Sequence, residues 1–410
     1  MRSDSRGYTR AMAGATAGAY EAELAYTRSS DVGPDAARPG VLRARTLAPE
    51  QQKTKQSFDL RRCHVYDLAA DGAPEPDLVG RGFDVVDLSP FADVHATLER
   101  VRAAGHITDA DARAIRHGLT GAWLRLSDGS RLRLLTIASE GLIMRNAGPN
   151  AMTVTSGPRH GMNGHDAATA VHADQDVKGT PLRQLMRGAA PWLFRHDTPD
   201  ARNGWSPLML LNLWIPLQQI TRPLALMDKR TLDRRAHQLR YGLPTDSFLE
   251  RDADQSVNDI WAFLPDPAQR WYFTSEMDSR RAYVFETLGT PHGSFVLPGE
   301  DVAERLYRAL ERAAEAARQG DEAALRRVTD DVASLPAPAV TTSALRRAIE
   351  AMGELLEEAR GAASALCRGE GRDDWVSRTK AAADRVVRRS LEMRVVALRV
   401  PSWRAGAPRS

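Results

Sequence analysis

From residue 58 onward the chain switches between two kinds of hydrophobic pattern. FDLRRCHVYDL and GFDVVDL are short apolar and β-branched runs and predict strands. ADVHATLERVRAAG and TDADARAIRHGLTGAW carry helical spacing, with Thr108 and Asp109 as candidate N-caps. Between 151 and 298 the texture is β-type. AMTVTSG, TAVHAD, LMLLNLWIPL, PLALMD, IWAFL, RWYFT and YVFETL are short runs divided by Gly, Pro and Asp, as in a sandwich or jelly roll. Trp205, Trp214, Trp261 and Trp271 fall in this region and are expected in the core.

After 300 the period changes to that of helices. DVAERLYRALERAAEAARQG places Val302, Leu306, Leu310 and Ala314 on one stripe and stops at Gly320. Two further helical stretches follow, separated by the stiff PAPAV at 336–340, for three or four helices in all. RRSLEMRVVALRV (388–400) then alternates again as a strand. A strand that returns after helices predicts an insertion into a β core. The first 56 residues are rich in Ala, Gly, Arg, Ser and Thr and are expected to form a mobile arm, with AGAYEAELAYTR as a short helix. The expected organisation is an arm at 1–56, an α/β portion at 57–150, a core at 151–299 and 386–402, a helical insertion at 300–385, and a tail at 403–410.

Composition narrows the function classes. Of 410 residues, 42% are hydrophobic and 27% charged, which is globular. A net charge of +3 gives no reason to expect nucleic acid. The longest apolar run, 207–217, is too short to span a bilayer and contains Asn212. The N-terminus lacks the apolar stretch of a secretion signal. With only Cys63 and Cys367, neither a disulfide framework nor a cysteine zinc site is expected, and a cytoplasmic location fits.

The chemistry starts at VHADQDVKG (171–179), where His172 and Asp174 are separated by one residue. In a strand, residues i and i+2 share a face, so an imidazole and a carboxylate can reach one metal ion. A third histidine from a distant strand would complete a facial triad of the kind that holds Fe(II) with open positions. On its own the pair is as readily a polar strand end. TPHGSF supplies His292 at an expected strand edge; the bland reading is a loop-anchoring histidine. His160 and His165, in the Gly-rich SGPRHGMNGHD, are alternatives on an expected loop or lid. Arg388 and Ser390, again i and i+2, can grip a carboxylate with a guanidinium and a hydroxyl, such as the remote carboxylate of 2-oxoglutarate. The bland reading is a solvated arginine face. Together these pieces stand in the order of a 2-oxoglutarate-dependent iron oxygenase, and the helical block accounts for the long separation of His292 from Arg388.

NLWIPLQQITRPLALMDKRTL (212–232), RWYFTSEMDSRRAYVFET (270–287), TPHGSF, RRSLEMR (388–394) and GFDVVD (82–87) resemble blocks of the CmcJ/AsaB-like hydroxylase/desaturase family, which includes the cephamycin 7α-methoxylation subunit and gibberellin desaturase. The resemblance spans 58–298 and 386–400. It implies an α+β chain with a double-stranded β-helix (jelly-roll) oxygenase core, flanking helices and the helical insertion. It implies Fe(II), 2-oxoglutarate and O₂, with His172, Asp174 and His292 on the metal, Arg388 and Ser390 on the cosubstrate and Asn212 lining the site. Ile215 stands where many relatives carry Arg, so a polar contact near the site is expected to be missing. A carboxylate ligand argues against a halogenase. The implied reaction is hydroxylation, desaturation or oxidative cyclisation at an unactivated C–H bond of a small specialised metabolite, amino-acid or peptide derivatives included. The partner is then a small molecule, with neither nucleic acid nor membrane; the oligomeric state is open, a homodimer included. Two other readings stand beside it: a binding or scaffold protein on a degenerate oxygenase fold, with the helices as partner surface and Arg388 displaced from the pocket, and a cupin-like metal enzyme indifferent to Arg388.

Overall fold

The computed structural model describes residues 18–31, 42–43, 58–138, 142–154, 161–174, 190–198, 201–244, 257–332, 335 and 340–402. Two sheets face one another. The first runs, in spatial order, β1 (Ala19–Tyr26), β3 (Asp59–Asp67), β15 (Trp271–Phe273), β12 (Leu224–Met227), β17 (His292–Ser294), β8 (His172–Ala173), β14 (Val257–Phe263), β13 (Gln238–Pro244) and β2 (Leu42–Arg43). The second runs β4 (Phe83–Asp87), β16 (Arg281–Glu286), β11 (Leu208–Gln218), β18 (Arg388–Val400), β6 (Arg131–Ile137) and β5 (Trp123–Arg125), with β7 (Ile143–Ala147) also on β18. The strands β9 (His196–Thr198) and β10 (Ala201–Asn203) form a separate hairpin. Most pairings are antiparallel and the order is crossed over throughout, which makes the core a jelly roll in an α+β chain.

Each sheet has a helix-covered outer face. Alternation on β11 sends Met209, Leu211, Leu213 and Ile215 outward, into one apolar cluster with α1 (Ala92–Ala104) and α2 (Asp109–Leu119). Thr108 is the N-cap of α2, in a reciprocal capping box with Asp111. The other sheet turns Met227, Trp261, Trp271 and Phe273 into a second cluster with α3 (Glu300–Gln319), α4 (Glu322–Val332), α5 (Ser343–Gly361), α6 (Ala363–Arg368) and α7 (Arg372–Arg385). Leu306, Leu310 and Ala314 are buried and Val302 is partly buried, so the stripe read from sequence is the one that packs. The inserted helices therefore cover the back of a sheet. Burying each Trp or Phe there contributes about 1.5–3 kcal/mol. No helix among the described residues is long and apolar enough to cross a membrane.

Several expectations change. The segment read as a short helix at 17–28 contains β1, paired along its length with β3, because strand pairing and burial of Leu24 and Tyr26 override its alanines. The rest of the expected arm lies almost wholly outside the described residues. AMTVTSG forms no strand among its described residues; Pro149–Ala151 is a short 3₁₀ turn. Trp205 is exposed, while Trp214, Trp261 and Trp271 are core. Most of PAPAV and the tail at 403–410 lie outside the described residues.

Candidate metal centre

Three side chains from the first sheet and from the residues just after its strand β8 come together at one point. On β17, His292 stands directly opposite His172 of β8, and the ring centroids are 4.4 Å apart. Asp174, two residues beyond His172, turns to the same side. Its Oδ1 lies 3.4 Å from His172 Nε2 and its Oδ2 lies 3.8 Å from His292 Nε2. The three ligand-type atoms all fall within 4.8 Å of one another, so they could hold one metal ion. His292 is buried between two neighbouring strands, not at a sheet edge.

Each imidazole spends its other nitrogen on the backbone. His172 Nδ1 is 2.7 Å from the Ala170 carbonyl, and His292 Nδ1 is 3.0 Å from the Thr290 carbonyl. A carbonyl only accepts, so both Nδ1 atoms carry a proton and both Nε2 atoms face Asp174. Burial and the neighbouring His172 hold the His292 imidazole down at about 4. Burial also opposes charge on His172, but the hydrogen bond and charge of Asp174 outweigh it and push His172 up. Burial opposes ionisation of Asp174 too, yet His292, His172 and Arg394 hold its carboxyl well below the ordinary range. An ionised carboxylate and a neutral imidazole are ready-made ligands; the second imidazole must give up a proton.

Asn212 sits on β11 and donates from Nδ2 to Asp174 Oδ2 and, at 3.2 Å, to Glu392 Oε1. Thr287 fixes its amide by donating to Oδ1 at 2.6 Å. Asn212 thus touches a proposed metal ligand. Glu392 in turn accepts from Arg145 Nε at 3.3 Å. Glu392, Arg145 and Thr287 were not singled out in the sequence; the signal for Glu392 was its place two residues after Ser390 on the same strand face.

Arg388 lines the same narrow cavity as His172, Trp214, Leu224, Phe285 and His292. It is 1% exposed, and its guanidinium lies 5.3 Å from the Trp214 ring. It donates to the Arg222 carbonyl at 3.0 Å and to Ser390 Oγ at 3.1 Å, while its Nε has no partner among the described residues. Burial, with Arg145 and Arg222 nearby, lowers its pKa to about 9. A guanidinium keeps its proton at neutral pH, so burial without an anion is a cost that an anion would relieve. The helices do not displace Arg388 from the cavity. Ile215 belongs to the cluster on the outer face, so the residue at that position takes no polar contact away from the site. His165 bonds the Gly161 carbonyl and stands apart from the three-residue group; His160 and part of the expected lid lie outside the described residues.

Among the described residues, Trp214 Nε1, Arg222 Nε and Arg388 Nε are all buried donors without an acceptor. With one N/O ligand set and a surplus of donors beside it, the residues present fit a divalent metal and an acceptor-rich anion.

The domain family described as "YDMC: Oxidoreductase/YMDC permease-like domain" matches residues 145–302, a stretch that holds the three ligand-type residues and ends before Arg388. No curated protein matches the chain. Among solved structures it is similar to the iron and alpha-ketoglutarate-dependent endoperoxidase NvfI, at 13% identity and a TM-score of 0.43 over 93% of this chain and 99% of that one. It is also similar to NvfI in a different conformation, at 14% identity and a TM-score of 0.46 over 93% and 98%.

Proposed function

We propose that this chain is an Fe(II)- and 2-oxoglutarate-dependent oxygenase that oxidises an unactivated C–H bond of a small specialised metabolite. The observation that carries this reading is that His172 and His292, grouped with Asp174, line one buried cavity with Arg388, which forms no ion pair among the described residues. When bound, iron with 2-oxoglutarate and O₂ supplies the oxidising power, the cosubstrate leaving as succinate and CO₂.

The protein's part is orientation and exclusion of water. The Ala170 and Thr290 carbonyls fix both imidazoles with Nε2 inward. Asn212 holds Asp174, and Glu392 and Thr287 hold Asn212. Arg388 and Ser390 receive the distal carboxylate of the cosubstrate. Trp214, Leu224 and Phe285 wall the cavity, whose free volume is only about 10 Å³, so a ligand enters by side-chain movement. The three alternatives of hydroxylation, desaturation and cyclisation share this machinery and differ in how the substrate lies.

The test is anaerobic Fe(II) loading followed by O₂ with 2-oxoglutarate, reading succinate. Iron bound in about one equivalent, and succinate formed only when 2-oxoglutarate is supplied, is the expected result. A protein that takes up neither iron nor 2-oxoglutarate is not such an enzyme.

A further inference from the structure

A second pocket opens at the end of the sheets that carries the His172–Asp174–His292 group. The pairing of β8, β17 and β12 is antiparallel, so the chain leaves β8 at Asp174 and β12 at Asp228 on the side where β17 begins. Strand β16 ends there too, at Glu286, beside the start of β11 and of β4. The pocket encloses about 360 Å³, a small-molecule size. Its walls come from the turn before β4, the β9–β10 hairpin and its flanks, the turn after β12, and Glu286. Alternation on β16 sends Phe285 into the cavity of His292 and Arg388 and sends Glu286 here, and among the described residues the two spaces share no lining residue.

Cations outnumber acids around it. Lys229 pairs with Glu286 at 2.6 Å and Arg202 with Asp197 at 2.8 Å, while Asp228 serves both Arg81 and Arg230 at 2.6 Å. Arg195 donates to the Gly204 carbonyl. Arg234 feels the charges of Glu286 and Asp197, and it donates to Gln238 Oε1 at 2.8 Å and to the Gly289 carbonyl at 3.2 Å. Neither Arg195 nor Arg234 forms an ion pair among the described residues. The other acid close by is Asp77, whose Oδ1 accepts from the Val79 and Gly80 amides at 3.1 and 2.9 Å. Six cations thus face four acids among the described residues, an excess of two positive charges. A neutral carbonyl leaves a guanidinium's charge in place, and a recess crowded with uncompensated cations is a cost that a bound anion relieves. A phosphate ester brings nearly two negative charges and three acceptor oxygens, which guanidiniums match with paired N–H groups; a carboxylate brings one charge.

We propose that this pocket is a binding site for the phosphate group of a small phosphorylated molecule, with Arg195 as its principal anion contact and Arg202, Lys229 and Arg230 around it. The site stands apart from the oxygenase reading, since none of its residues lines the cavity of His172, His292 and Arg388.

The experiment is calorimetry on the full-length, metal-free protein at about pH 8, above the second phosphate ionisation, with glycerol phosphate, inorganic phosphate and acetate as probes. Both phosphate probes are expected to fill one saturable site, at least about tenfold more tightly than acetate. Arg195→Met should weaken them by about ten- to a hundredfold, the worth of a charge-assisted hydrogen bond, and Arg195→Lys should recover part of the loss. Asp197→Asn frees Arg202 and should tighten binding severalfold, the opposite sign. Arg378→Met removes the same charge from the Glu358 pair on α7 and should stay within about twofold. Saturating 2-oxoglutarate should leave the glycerol phosphate affinity unchanged. Unchanged affinity in Arg195→Met overturns the proposal, as does an equal loss in Arg378→Met, which would mark general attraction to a basic protein. Acetate binding as tightly as phosphate, uptake of inorganic phosphate without glycerol phosphate, or displacement by 2-oxoglutarate overturns it as well. If Arg195→Met does not fold, an Asp197→Asn protein with wild-type affinity overturns it. Iron and 2-oxoglutarate binding, measured separately, decide the oxygenase reading whatever these probes do.

Discussion

At the scale of single residues, the proposed site is a set of ligand-type side chains whose free atoms are aimed by their neighbours. Asp174 and His292 have no substitute in the ligand set, so Asp174→Asn or His292→Ala should remove stoichiometric metal binding, read by equilibrium dialysis. Asn212 is a positioning residue. Asn212→Ala should weaken metal binding by about 10–100-fold, the usual cost of losing a partner of a metal ligand, while leaving the fold intact by circular dichroism. A variant that binds metal as tightly as wild type would show that Asp174 needs no such support. The pH dependence follows from His172. Its folded pKa is raised above 6.5, so its contribution to the metal-free protein's stability is present below that value and lost as pH rises through the raised one. A metal competes for the same lone pair, so affinity should climb with pH until that pKa is passed. His292, at about 4, adds no further step near neutrality. From roughly pH 6 to 8, metal uptake should therefore release no more than about one proton, measured by calorimetry in buffers of different ionisation enthalpy. Release of two would contradict the assignment of His292 as neutral.

At the scale of elements, the first residue of the inserted helices also braces the site. Glu300 opens α3, and its carboxylate accepts from the amides of Arg222, Leu297 and Asn150 at 2.6, 2.9 and 2.8 Å. Two of these residues, Asn150 and Arg222, have positive φ, so the acceptor stabilises backbone that would otherwise relax. Glu300→Ala leaves several buried donors without a partner, at about 1–3 kcal/mol each. A loss of about 3 kcal/mol or more in denaturant unfolding is expected. A loss within about 0.5 kcal/mol, the range of an ordinary surface change, would mean that water replaces the carboxylate there.

For the whole molecule, the inserted helices and the jelly roll share one apolar cluster. Met227, Trp261, Trp271 and Phe273 of the sheet are buried with Leu306, Leu310, Leu345 and Trp375 of the helices. Replacing 300–385 by a short linker would expose that sheet face. The expected product is insoluble or unfolded protein, assayed by expression and size-exclusion chromatography. A soluble, metal-binding product would show the helices to be an appended unit.

The sequence by itself determined the local elements and the chemical vocabulary. The spacing of His172 and Asp174, the alternation of 388–400 and the helical stripe at 302–314 are near-neighbour patterns, and period-2 and period-3.6 spacing survive in any tertiary context. Tertiary structure decided what meets what. It set His172 opposite His292, brought Arg388 to their cavity, aimed Asn212 at Asp174, and left Trp205 in solvent while Trp214 was buried. It also made a strand of the alanine-rich segment at 19–26, because β3 lay alongside to pair with it. Arg222 and Glu300 carried no local signal at all. Their roles arise from a turn, a helix start and a strand that are distant in the chain and adjacent only once both sheets have closed, since sheet register is fixed by non-local burial and not by neighbouring sequence.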